Sequence, residues 1–280
     1  MMVKIIGITG GKGGTGKSTV ATAIAIQLSK KYKVLLVDAD VDCPNDHLIL
    51  NLKRKEYEIV QQRIPTWNTD KCISCGLCGT VCKTNAIVNI PNKSPMFIST
   101  QCNGCGACFF KCPVKAINWT NKDIGKIYFN NEDKIHFLSG ELKEKEPVSE
   151  FIVNSLNEII TKISQNYDYI IIDTAAGTHC PVIAALEMCD EVFAVTEPTP
   201  LGKHDLEVIL NLLVKLKIKS NIILNRSDIG DKKFIEVLSK DMKIDIISEI
   251  SYSKEIVNNY ANGVPIENKQ INEITIKIIK

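Results

Sequence analysis

The amino-acid sequence predicts an α/β fold with a mostly parallel sheet, interrupted by a small α+β insertion. Three observations carry that prediction. Short apolar runs at Val3 to Thr9, Val34 to Val37 and Tyr169 to Ile172 have the length of buried parallel strands, and segments of helical periodicity lie between them. One run ends in a glycine-rich turn and two end in aspartates, at the strand ends where open α/β sheets gather their ligands. Between the second and third runs, a cysteine pattern that begins at Cys72 begins again at Cys102.

The first run delivers Gly10-Gly11-Lys12-Gly13-Gly14-Thr15-Gly16-Lys17-Ser18-Thr19, followed by an amphipathic helix from about Lys17 to Lys31. Gly11, Gly16, Lys17 and Ser18 satisfy G-x-x-x-x-G-K-[ST], a phosphate cradle. In such a turn successive backbone N–H groups converge on phosphate oxygens, the helix adds its positive dipole end, the lysine reaches the outer phosphates and the hydroxyl ligates Mg2+. Nucleotide phosphates and Mg2+ are the implied ligands. Strand before and helix after are the context the motif requires.

Composition bounds the rest. With 280 residues, 45% hydrophobic and 24% charged, the chain can bury one large core and carry a small second module. No apolar run approaches the roughly 18 residues of a membrane span, and the first strand starts too early to leave room for a signal peptide, so a cytoplasmic protein is expected. The net charge of +2, with lysines scattered among acids, offers little counterion release to drive nucleic-acid binding. Eleven cysteines without a secretion signal favour metal ligation over disulfides.

Taken in order, Val34 to Val37 presents Asp38-Ala39-Asp40-Val41-Asp42 toward the phosphate turn. Residues 43–63 read as polar and helix-like, and Pro65-Thr66-Trp67 reads as the break that opens the insertion. In the insertion, Cys72, Cys75, Cys78, Cys82, Ala86 and Ile87 recur as Cys102, Cys105, Cys108, Cys112, Ala116 and Ile117, so each half reads C-x2-C-x2-C-x3-C. That spacing lets three cysteines wrap one cube of iron and sulfide while the fourth serves the neighbouring cube. One [4Fe–4S] cluster is therefore expected on Cys72, Cys75, Cys78 and Cys112, and a second on Cys82, Cys102, Cys105 and Cys108. Zinc ribbons also use C-x2-C pairs, but not this eight-cysteine duplication. Gly76, Gly79, Gly104 and Gly106 allow backbone amides to turn toward the sulfides. The segment resembles a bacterial two-cluster ferredoxin domain, with one departure: Pro113 follows Cys112, whereas Lys83 follows Cys82.

Residues 124–131 and 135–139 alternate about Asn130-Asn131-Glu132-Asp133, a hairpin signal. Residues 141–150 read as a charged linker. From Phe151 to Gln165, Ile152, Leu156, Ile159, Ile160 and Ile163 share a helix face. Asp168 to Asp173 is a strand whose terminal Asp173 can bind water on Mg2+. Further strands are expected at 191–196, 222–226 and 244–247, and helices at 203–216 and 231–242. The isoleucine-rich tail, 267–280, is expected to dock on the sheet through Ile271, Ile274 and Ile278. Cys180 and Cys189 stand outside the cysteine repeat, and no guanine-type N-K-x-D motif occurs.

The extra Lys12, which makes the turn K-G-G-x-G-K-S, is similar to the deviant phosphate loop of the MinD/ParA superfamily, which includes the nitrogenase iron protein and Mrp-type iron–sulfur carriers. The resemblance implies a P-loop NTPase fold and a homodimer, or a heterodimer with a related ATPase, in which Lys12 crosses to the partner's nucleotide. It implies that Asp40 positions the attacking water, that Asp38 holds water on Mg2+ together with Ser18 and Asp173, and that Lys12 and Lys17 act with these acids in catalysis. Thr174 to Thr178 resembles the family's switch, where Gly177 senses the terminal phosphate, and Asn225-Arg226 resembles its adenine-side signature. Gly11, Gly13, Gly14, Thr15, Gly16, Ser18 and Thr19 complete the expected ATP contacts.

The chain is thus expected to hold an ATPase domain at 1–64 and 124–280 and a ferredoxin module at 65–123. The expected activity is a slow, Mg2+-dependent ATPase that couples dimer closure to electron transfer toward a redox or cluster-accepting protein. An iron–sulfur carrier is the alternative, and a MinD-like positioning ATPase with structural clusters the third reading. Membrane attachment is not expected.

Overall fold

The computed structural model describes residues 3–279. Strand β1 (Lys4–Thr9) lies between β8 (Tyr169–Thr174) and β9 (Glu191–Thr196), and β8 is followed outward by β2 (Val34–Ala39) and β7 (His136–Leu142). On the other side of β9 come β10 (Lys219–Asn225) and β11 (Ile246–Ile250). All of these pairs are parallel. In β2, β8 and β9 every side chain is buried, so these runs read as continuous hydrophobic stretches instead of alternating ones.

Helices cover the two faces. Helix α1 (Lys17–Ser29) and the terminal α10 (Lys269–Ile279) pack on one side with Ile6, Ile8, Leu36 and Ile171 beneath them. On the other side lie α5 (Glu150–Ile163), α6 (Cys180–Leu186), α7 (Pro200–Leu216) and α8 (Lys233–Met242). The tail docks as its pattern predicts. Ile271, Ile274 and Ile278 are buried while Ile276 and Ile279 face outward, and each buried isoleucine contributes about 1.5–3 kcal/mol of hydrophobic stabilisation. Among the described residues no helix is long and apolar enough to cross a membrane.

Past β7 the sheet turns antiparallel. Strand β6 (Ile117–Asn130) pairs with β7 as the expected hairpin, and β3 (Glu56–Trp67) pairs with β6 at the sheet's edge. This corrects the helical reading of 43–63, where only α2 (Asp46–Ile49) is helical. In β3, Val60, Gln62 and Ile64 are buried while Ile59, Gln61 and Arg63 are exposed, and the strand exists because β6 supplies its partner groups. Pro65 is no break either. It stands opposite Trp119 on an edge strand, where a missing N–H costs no ladder bond. The ribbon therefore continues through positions 64/65 and, with a register shift at Ile124, through 123/124, and carries the cysteine-rich residues at its far end.

The insertion holds α3 (Leu77–Thr80), α4 (Ala107–Lys111) and a small sheet of β4 (Ile87–Val88) and β5 (Met96–Phe97). Elsewhere, boundaries move by a few residues. The strand expected at 244–247 lies at β11, in register with β10 through a bulge, and α7 starts at Pro200 because the Thr199 hydroxyl caps the Gly202 N–H at 2.9 Å. Helix α9 (Lys254–Ala261) was not expected and is capped by Ser253.

Candidate functional site

The phosphate turn leaves β1 at the centre of the sheet and feeds α1, whose first residue is Lys17. Gly16 adopts φ +93°, and a Cβ there would stand 2.3 Å from Asn225 Nδ2, so the position admits only glycine. That amide nitrogen donates to the Thr15 carbonyl at 2.8 Å, and the Asn225 Oδ1 accepts from the Arg226 N–H at 3.0 Å. Asn225, expected at the adenine side, thus braces the phosphate turn from β10. Lys17 is buried, its Nζ donating to the Lys12 carbonyl at 3.3 Å. Lys12 itself points at Glu197, with 3.4 Å between Nζ and the carboxylate, and Arg226 pairs with the other oxygen of Glu197.

Adjacent strands bring the acids together. In the parallel register of β2 and β8, Asp38 stands beside Asp173, and both are buried. Asp38 accepts N–H bonds from Asp40 at 3.2 Å, Asn45 at 2.9 Å and Asp46 at 3.1 Å, so its carboxylate shapes the loop that presents Asp40. Burial, with Asp173 adding to it, pushes the Asp38 carboxyl well above the usual carboxylate range. Burial also pushes Asp173 up to about 7, against the pull of the Ser18 hydroxyl and Lys17. One Asp173 oxygen has no hydrogen-bond partner. Burial raises Asp40 as well, although Lys17 draws it down. A divalent cation is what such an arrangement of oxygens suits: it supplies the charge these carboxylates lack and the partners their lone pairs need.

In front of these groups opens a cleft of about 450 Å³, lined by Gly13, Gly14, Gly16, Lys17, Ser18, Thr19, Asp40, Ala176, Asn225 and Arg226. Its far wall, Ser251 to Ser253 with Ile256, Val257 and Tyr260 of α9, carries no motif and went unrecognised in the sequence; the Ser253 cap was the one available signal. The Gly177 N–H, at φ +93°, donates to the Gly10 carbonyl at 3.1 Å, which ties the expected switch to the phosphate turn. Cys180 is exposed on α6, while Cys189 is a packing thiol whose burial pushes its ionisation far up.

At the far end of the ribbon, the duplication in sequence is also one of backbone. Left-handed residues fall at Ser74 and Gly104 (φ 54° and 74°), Gly76 and Gly106 (75° and 76°), and Asn85 and Lys115 (56° and 50°). Gly76 and Gly106 cap α3 and α4 at equivalent places. One hollow is lined by Cys72, Cys75, Cys78 and Cys112, drawing three thiols from the first half and one from the second. Cys82 packs in one small apolar cluster with Cys102, and beyond burial, the neighbouring Cys105 and Cys82 thiols raise the Cys102 thiol. Cys102 and Cys105 act on Cys108 in the same way, behind a burial that pushes it to about 11. Backbone N–H groups already point at sulfur, from Ala116 to Cys112 at 3.2 Å and from Gly104 to Cys102 at 3.4 Å. Among the described residues no three His, Cys, Asp or Glu side chains meet closely enough to grip a single ion. The insertion is held to the main body by Lys122, which pairs with Glu146 at 2.7 Å.

Residues 6–266 match the CobQ/CobB/MinD/ParA nucleotide binding domain. The chain belongs to that family. Among relatives of the MinD/ParA-type chain, an uncharacterized protein of Methanocaldococcus jannaschii is 35% identical over 265 residues, covering 92% of this chain and 90% of its own. An iron–sulfur cluster carrier protein of Clostridium perfringens is 46% identical, over 57 residues and 20% of each chain. In fold the chain is similar to the septum site-determining protein MinD of Pyrococcus horikoshii, solved with Mg-ADP, at a TM-score of 0.63 and 21% identity over 100% of this chain and 97% of that one. Nucleotide binding on an α/β P-loop fold is thus a property of this chain's family. The match, residues 6–266, spans the phosphate turn and the walls of the cleft.

Proposed function

We propose that this chain is a Mg2+-dependent ATPase in which nucleotide-driven closure of a dimer is coupled to electron transfer through two [4Fe–4S] clusters. In this reading the amides of Gly11, Gly13, Gly14, Thr15 and Gly16 cradle the phosphates and Lys17 neutralises the outer ones. Ser18 and Asp173 hold Mg2+, Asp38 fixes the loop around it, and Asp40 orients the attacking water. Thr19 flanks the phosphates, and Asn225 and Arg226 close the base side with the wall of α9. Lys12 leaves Glu197 to reach the partner subunit's nucleotide, and Gly177 trades the Gly10 carbonyl for the terminal phosphate.

The observation that carries the redox half is the thirty-residue recurrence of backbone conformation around eight thiols, with Cys72, Cys75, Cys78 and Cys112 around one hollow. The donor set fits the group: thiols of Cys72, Cys75, Cys78 and Cys112 line one hollow, and backbone amides are aimed at the sulfurs of Cys102 and Cys112. A [4Fe–4S] cluster, when bound, takes up and releases one electron. The chain's own residues would set its potential, through N–H donors, burial and the exposed Lys83 beside Cys82. A connection between the two sites supports the reading. The Leu142 N–H at the end of β7 donates to the Val41 carbonyl of the Asp40 loop at 2.8 Å, and β7 pairs with β6 of the ribbon.

Anaerobically prepared protein, reduced and then mixed with an oxidised acceptor, is expected to reoxidise at a rate that ATP changes. A rate indifferent to ATP, with intact clusters, overturns the coupling. The short likeness to an iron–sulfur carrier favours a second reading, delivery of clusters to an apoprotein. Transfer of iron from this chain to an apoprotein in the same preparation would favour it over electron transfer.

A further inference from the structure

Asp46 opens the single-turn α2 just beyond the Asp40 loop, and it belongs to no motif. It is 0% exposed, and neither of its carboxylate oxygens has a hydrogen-bond partner. Its backbone N–H is committed to Asp38, at 3.1 Å from Oδ2, the same oxygen that accepts from the Asn45 N–H at 2.9 Å. That pair of bonds fixes where the side chain sits. The charged groups that bear on it are Asp173, Asp38 and Asp40. A buried carboxylate with two idle oxygens is among the costliest groups a core can hold, and asparagine or leucine would suit a purely structural position better.

We propose that Asp46 is a positioning residue for the nucleotide-bound Mg2+: its carboxylate accepts hydrogen bonds from water that the ion carries. The inference rests on reading Ser18 and Asp173 as the groups that hold the ion, and goes beyond it by adding an acid that the family motifs do not contain. Asp38 already accepts three backbone N–H bonds, whereas both oxygens of Asp46 are without a partner. Outer hydrogen-bond partners of a metal site commonly set its affinity by tenfold to a hundredfold.

The test uses the full chain, with Mn2+ as the probe and ADP present, and reads free Mn2+ by its electron paramagnetic resonance signal. Asp46→Asn is expected to weaken Mn2+ binding about tenfold to a hundredfold while leaving ADP affinity in chelator unchanged. Asp173→Asn is the reference. If Asp173→Asn weakens binding and Asp46→Asn does not, the proposal is wrong and the ion site stands. If neither weakens it, the ion site itself has been misread and the proposal falls with it. Thermal melting in chelator keeps the comparison honest, because Asp46→Asn should melt at or above the wild-type temperature once like charges are relieved. Asp46→Leu, which keeps the volume without an acceptor, should lose as much Mn2+ affinity. A Leu variant that folds and binds Mn2+ like wild type refutes the assignment.

Discussion

Replacing Glu197 with glutamine removes the carboxylate that holds Lys12 inside its own subunit. The two charges lie 3.4 Å apart, with side-chain exposures of 27% for Lys12 and 10% for Glu197. At an effective dielectric of about 20, that separation corresponds to roughly 5 kcal/mol of gross attraction. Most of it is cancelled, because the lysine is partly hydrated and Arg226 remains on Glu197 when Lys12 departs. A net of about 1 kcal/mol per subunit is the reasonable scale for a half-exposed pair. A closed dimer must free two such lysines, so Glu197→Gln should favour it by about 2 kcal/mol, roughly a thirtyfold fall in the dimer dissociation constant. Sedimentation equilibrium with a non-hydrolysable ATP analogue measures this directly. Lys12→Ala should do the opposite, abolishing the ATP-dependent dimer while nucleotide still binds the monomer. A Glu197→Gln protein that dimerises no better than wild type, or a Lys12→Ala protein that dimerises as well, refutes the claim that Lys12 is held in reserve for the partner.

Three further outcomes follow from the same geometry. Cys112→Ser should cost the cluster whose other ligands are Cys72, Cys75 and Cys78, so anaerobic iron and sulfide analysis should find about half the wild-type content; full content would disprove the cross-ligation. Gly16→Ala forces a Cβ at φ +93° and against Asn225 Nδ2 at 2.3 Å, so ADP binding measured by calorimetry should weaken at least about tenfold with the far-ultraviolet spectrum unchanged. Ile274→Ala, at a position 0% exposed between α10 and the sheet, should lower unfolding stability in urea by about 2–5 kcal/mol. Ile276→Ala on the outward face is the control, and an equal loss there would mean that the helix is not docked as described.

The cysteine-rich module is also joined to the nucleotide site more closely than an appended domain would be. β2 carries Asp38 to the cleft, β7 lies beside β2, and β6 runs from β7 to the cysteines. The Leu142 N–H also donates to the Val41 carbonyl at 2.8 Å, so the loop that carries Asp40 is hydrogen-bonded to the end of β7 within one continuous sheet. Lys122 and Glu146 add a second tie, with the glutamate only 5% exposed.

What the sequence determined by itself was whatever is encoded locally. The phosphate turn, the strands ending at Asp38 and Asp173, the helix faces of α5 and α10, and the two cysteine halves all rest on spacings within a few residues, and the structure forms the strands and helices among them at those residues. Tertiary structure decided the rest. Residues 56–67 became a strand because β6 lies beside them, a pairing across some sixty residues that no local periodicity encodes. The Asn225 amide was brought onto the Thr15 carbonyl, Lys12 was drawn to Glu197, and α9 became the far wall of the cleft, all through contacts between residues distant along the chain. Asp46 is the clearest instance. Among exposed neighbours it would be one more solvated acid, and only the closing of β2, β8 and α2 around it removes the water that would have satisfied its oxygens.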